Sequence, residues 1–145
     1  MTRTGASKEV GPGFALDRLK KGRAYHEAAR VCSEQIDRLH DSDPVASTAA
    51  LAAIAYADAV TAAYSGRVNQ KDHSTAPKLL RDSLGNSLPD SQLNLFKKII
   101  SLKDEVQYGA RKSRSDAAAG IVSNLDEFGA WVVSMLARRS VSLND

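Results

Sequence analysis

Residues 43–73 read DPVASTAALAAIAYADAVTAAYSGRVNQKDH, and the reading of this stretch decides the fold. Asp43 is a good helix N-cap, and Pro44 suits the first helical position, where no backbone N–H is needed. Val45 to Tyr64 then forms an alanine-dominated apolar segment broken by one acid, Asp58. Small side chains on several faces let neighbouring helices approach closely, so this segment is expected to be the central helix of a bundle. Ser65-Gly66 ends it, and a polar loop, Arg67 to His73, follows.

The remaining segments can be placed around that helix. Met1 to Gly13 is polar, contains Gly5, Gly11 and Gly13, and is expected to be a flexible tail. The first helix is predicted from Phe14 to about His40, with Tyr25, Ala28/Ala29, Cys32, Ile36 and Leu39 as its apolar stripe. Arg18, Lys20, Lys21 and Arg23 crowd its early turns and read as a solvated face. A short third helix spans about Ser74 to Leu84, with Leu79, Leu80 and Leu84 inward. Pro77 must lie near its first turn, because a proline inside a helix costs ~3 kcal/mol.

The fourth helix begins at Asp90 or Ser91 and runs to about Tyr108, where Gly109 supplies a stop. Leu95, Ile99, Leu102 and Val106 make one of its stripes. A basic loop, Ala110 to Ser115, leads into the last helix, about Asp116 to Arg138. Its broad apolar face is Ala118, Ile121/Val122, Leu125, Phe128/Gly129, Val132 and Met135/Leu136, with Trp131 beside it. The polar tail, residues 139–145, is expected to fray. No segment alternates with period two over a useful length. The expectation is all-α: an antiparallel bundle of about five helices in a single domain, residues 14–138.

At 145 residues and 43% hydrophobic content, the chain can build one ordinary core. Its net charge of +3 permits a phosphate-bearing partner without requiring one. The single cysteine, Cys32, rules out an internal disulfide and argues against a cysteine-based zinc site. Apolar runs fall short of the ~20 residues that span a bilayer, and Met1 to Gly13 lacks a secretory core. A soluble cytoplasmic protein with no membrane contact is expected. The sequence has no Walker-type loop, no GxGxxG and no His/Asp/Glu cluster at metal-ligand spacing, since His26, His40 and His73 stand apart. No cofactor and no metal are therefore expected.

Several landmarks occur in a telling order. Asp58 interrupts the apolar helix. Gly66-Arg67 and Asp72-His73 bracket a loop ahead of Leu79-Leu80. Leu102-Lys103-Asp104 and Tyr108-Gly109 close the next helix. From about Ala15 to Leu136 the chain resembles the bacterial HEPN-domain proteins. That resemblance implies a helical bundle that often forms a homodimer. It also implies work on RNA in toxin–antitoxin or defence systems, or beside a nucleotidyltransferase or antitoxin partner. The family's ribonuclease motif is an Arg and, four to six residues on, a His near the end of the penultimate helix. Here Lys103 stands at the Arg position and Gln107 or Tyr108 at the His position, a degenerate form.

One Arg-x5-His spacing occurs elsewhere, from Arg67 to His73. A metal-independent ribonuclease needs a base for the 2′-OH and a cation for phosphorane charge, and His73 and Arg67 would supply them. The plain alternative is a surface arginine and a loop end. Asp58 is expected to need a cation, because an unpaired buried carboxylate is costly. Lys103, His73 and Arg67 are the candidates, and a structural link between helices is the alternative role. Asp72, Lys103 and Tyr108 join Asp58 as supporting polar groups. Arg111, Lys112 and Arg114 form the strongest basic segment and are the candidate phosphate contacts. A second, non-catalytic reading makes the last helix a docking face for a partner protein, through Phe128, Trp131 and Met135.

Overall fold

The computed structural model describes residues 7–35, 43–70, 73–108 and 115–143; for 102–108 and 115–118 it describes the helical backbone alone. Five α-helices stand in order: α1 Phe14–Glu34, α2 Asp43–Ser65, α3 Ala76–Leu84, α4 Asp90–Tyr108 and α5 Ser115–Ala137. The fold is the all-α helical bundle that the sequence predicts.

Helix α2 is its axis and packs on α1, α3, α4 and α5. Thirteen of its 23 residues are buried, eight of them alanines, so burial reaches around the helix rather than along one stripe. By length and composition α2 would be long enough to cross a bilayer, which corrects the expectation from uninterrupted apolar runs. Most of it is buried inside the bundle, as a core helix of a soluble protein is. Leu19 and Ala29 of α1, Leu80 and Leu84 of α3, Phe96 and Ile99 of α4, and Leu125, Phe128 and Val132 of α5 complete the core. Phe96 and Phe128 stack with ring centroids 5.3 Å apart.

The helix stops follow local chemistry. Gly66 follows α2 at φ +71°, a left-handed position that side chains resist, and its N–H returns to the Ala62 carbonyl at 2.9 Å. Pro77 falls in the first turn of α3, as its missing N–H requires.

Four expectations are corrected. Ser7–Glu9, placed in a flexible tail, forms strand β1, paired antiparallel with β2, Arg67–Asn69, with Lys8 opposite Val68. Three-residue strands are too short to leave an alternating pattern. The start of the polar loop is therefore β2, and His73–Thr75 is a turn of 3-10 helix before α3. The buried stripe of α1 is Ala15, Leu19, Gly22 and Ala29, while Tyr25 and Cys32 only flank it. Ile36, Leu39 and His40, and the stop at Gly109, lie outside the described residues.

The chain after α5 does not simply fray. Val141 N–H bonds the Leu136 carbonyl at 2.9 Å, and Ser140 N–H bonds Ala137 at 3.0 Å, with Ser140 at φ +61°. This is a Schellman stop, and it lays Val141 against the core. Arg139 sits over the Tyr64 ring at 4.2 Å.

Candidate functional site

The face of α1 that carries the buried stripe also holds a partly buried histidine. His26 falls between Gly22 and Ala29 at helical spacing, so the fold turns an imidazole toward α2 and α5. Its Nδ1 lies 2.7 Å from the hydroxyl of Tyr56 on α2. Its Nε2 lies 2.6 Å from Oδ1 of Asp126 on α5. A carboxylate can only accept, so Nε2 carries the proton; in the neutral ring Nδ1 then accepts from the phenol. The result is a directed relay, Tyr56 to His26 to Asp126, that ties three helices.

Two glycines make room for it. A Cβ on Gly22 would lie 2.7 Å from Cδ1 of Tyr56, and one on Gly129 would lie 3.1 Å from its Cε2 and 3.3 Å from Cε1 of His26. The Tyr56 ring is thus held between the backbones of α1 and α5. It is 1% exposed, and burial pushes its pKa up to about 12 against the pull of Arg23 and Arg30. The phenol stays protonated at neutral pH and serves as a donor, not a nucleophile.

Outside the relay the groove is charged. Arg30 Nη2 donates to the same Oδ1 of Asp126 at 3.1 Å, and Nη1 donates to Glu27 at 2.8 Å. The Asp126 hydrogen bond, foremost, holds the Arg30 pKa above its ordinary value. Asp126 itself is 50% exposed. Arg23, His26, Glu27 and Arg30 from α1 face Asp126, Gly129, Ala130 and Val133 from α5 across a cavity of about 460 Å³. Tyr56 closes its inner end.

Among the described residues, those singled out from sequence are dispersed. Asp58 pairs with Arg18 of α1 at 3.3 Å, not with His73 or Arg67. The carboxylate is 15% exposed, and burial raises its pKa to about 6 although Arg18 opposes the shift. The two residues join α1 to α2, the structural-link role. Part of the basic cluster read as a solvated face is therefore engaged.

Arg67 is committed to β1. Its Nε donates to the Ser7 hydroxyl at 2.8 Å, its Nη2 to the Ser7 carbonyl at 3.0 Å, and Nη1 lies 3.7 Å from Glu9. His73 is exposed on its 3-10 turn and does not line the α1–α5 cavity or a second one bounded by Arg81, Asn86 and Asp90. Asp72, Arg111, Lys112 and Arg114 lie outside the described residues, as do the side chains of Lys103 and Tyr108. On α5, Phe128 is 0% and Met135 2% exposed, which removes them from any docking face and leaves Trp131 half-buried against Phe128. Among the described residues, no group of three or more His, Cys, Asp or Glu side chains is arranged to hold a metal.

No protein-family model matches the chain, and no curated protein matches it.

The neighbours of His26 in sequence do not reveal the relay, because its partners lie 30 and 100 positions away. The signal lay in the helical phase: Ala15, Leu19, Gly22, His26 and Ala29 share one face. Two glycines inside long helices were the second sign, since each costs ~1 kcal/mol there unless something needs the space.

Proposed function

We propose that this is a HEPN-like helical protein, homodimeric, of a bacterial stress, defence or toxin–antitoxin system. It acts by binding RNA, or beside a nucleotide-linked partner such as a nucleotidyltransferase or antitoxin. The observation that carries this reading is the corner after α2. An apolar helix bearing one acid ends at Gly66-Arg67, and Asp72-His73 leads into a short helix carrying Leu79 and Leu80. That order, within an all-α bundle, is what the resemblance rests on.

Binding is favoured over cleavage on physical grounds. The Arg67 guanidinium is already engaged by Ser7 and Glu9. His26 has a built environment, but both ring nitrogens are occupied, so no lone pair is left to take a proton from a 2′-OH. The basic segment Arg111, Lys112 and Arg114 supplies the phosphate contacts.

RNA affinity measured at two salt concentrations, for wild type and for the triple alanine variant of Arg111, Lys112 and Arg114, tests this reading. The variant is expected to bind more weakly with a shallower salt slope. An unchanged slope removes the segment as a phosphate contact. Cleavage by wild type that is lost in His73→Ala would overturn the binding reading in favour of catalysis.

A further inference from the structure

We propose that the α1–α5 groove binds the phosphate group of a small ligand, with His26 Nε2, Arg30 and Arg23 as donors. The Asp126 carboxylate occupies this set internally, and the ligand displaces it. The proposal needs none of the RNA contacts above.

The donor set comes from one face of one helix. Arg23, His26, Glu27 and Arg30 follow at i, i+3, i+4 and i+7, so the two arginines flank the imidazole one turn to either side. Arg23 has no ion-pair partner among the described residues, although it lines the cavity. Tyr56 fixes His26 from behind, and this leaves the Nε2 proton as the outward donor. The imidazole is therefore set in a donating tautomer before any ligand arrives, which lowers the cost of binding.

Asp126 already shows what such donors accept. Its Oδ1 takes two hydrogen bonds, from His26 at 2.6 Å and from Arg30 at 3.1 Å, as a phosphate oxygen would. The carboxylate is half exposed, so it can turn into water without opening the core. Glu27 engages the other arm of Arg30 and does not compete for Nη2. With Asp126 in place the charges of Arg23, Arg30, Glu27 and Asp126 cancel; with it turned out, the donors carry a net positive charge for an incoming anion.

The space fits a small molecule. Gly129 and Ala130 keep the α5 wall low, and Val133, 38% exposed, offers an apolar surface at the same wall. A cavity of about 460 Å³ lies within the ~300–1,000 Å³ of small-ligand sites.

Calorimetric titration with inorganic phosphate, adenosine monophosphate and adenosine tests the site, using wild type and Asp126→Asn. The variant removes the competing charge but keeps an acceptor for His26. It is expected to bind both phosphate-bearing probes about tenfold tighter than wild type, and Arg30→Gln in the same background is expected to abolish the gain. A nucleotide that binds better than inorganic phosphate assigns the ligand to the nucleotides; equal affinity assigns it to phosphate itself; both support the site. Adenosine binding as tightly as its monophosphate overturns it, and so does affinity that Arg30→Gln leaves unmoved. If Asp126→Asn fails to fold, amide shifts of wild type under phosphate decide. Changes confined to residues 23–30 and 126–133 support the site, and their absence at high millimolar phosphate rejects it.

Discussion

The hydroxyl of Tyr56 on α2 donates to Nδ1 of His26 on α1 at 2.7 Å, and the two rings meet edge-on with centroids 5.7 Å apart. Tyr56→Phe keeps the packing and removes the bond. The buried Nδ1 then lacks its donor, and a loss of about 1 kcal/mol is expected in chemical denaturation. The phenol pKa near 12 lies above its ordinary value of 10, so its contribution to stability is present below pH 10 and is lost as pH rises through 12. An absorbance titration should show a late-ionising tyrosine in wild type that is lost in the variant. Identical alkaline curves would count against a buried, protonated Tyr56.

The two glycines that hold the Tyr56 ring give a prediction of sign. Alanine normally favours a helix over glycine by ~1 kcal/mol. At Gly22 the added methyl meets Tyr56 at 2.7 Å, so Gly22→Ala is expected to destabilise by about 1–3 kcal/mol. Gly120 on α5 is exposed with nothing near its absent Cβ, so Gly120→Ala should stabilise by up to ~1 kcal/mol. Melting temperatures of both variants provide the check. Two shifts of the same sign would contradict the packing described.

Asp58 makes stability depend on acid in an unusual direction. Its folded pKa of about 6 lies above the ordinary 3.8, because burial penalises the charge more than Arg18 repays it. The folded state thus holds a proton that the unfolded chain releases, and this group's contribution is full below pH 4 and lost as pH rises through 6. The shift corresponds to roughly 2–3 kcal/mol. Urea unfolding at pH 4, 5, 6 and 7 should show wild type losing ground to Asp58→Asn across that range. A constant difference would mean that the carboxylate is not perturbed.

Arg67→Ala should release β1. Two hydrogen bonds to Ser7 disappear, while the ion pair to exposed Glu9 adds little. Hydrogen exchange at Lys8 and Val68 is expected to speed up at least tenfold, with the buried amides of α2 unaffected. Unchanged protection at Val68 would show that the ladder holds without the arginine.

The composition of α2 was enough to establish the bundle. A helix with alanine on several faces can be approached closely from several directions, which suits it to be an axis. The starts of α3, α4 and α5 were legible to within two residues, because Pro77, Asp90 and Ser115 act on their own backbone. The partner of Asp58 was not legible, and neither was the engagement of Arg67 with Ser7, 60 positions away.

What the sequence alone determined here is periodicity: which segments are helices, where they start, and that α2 is wrapped by the rest; it ran α1 on to about His40, although the helix ends at Glu34. The tertiary structure decided which polar groups meet. His26, Tyr56 and Asp126 are 30 and 70 residues apart along the chain, and no local rule relates them. Helical phase puts each on an inward or flanking face, but the meeting point is set by how closely α1 and α5 approach α2. That distance is governed by the absent side chains of Gly22 and Gly129 against a single aromatic ring.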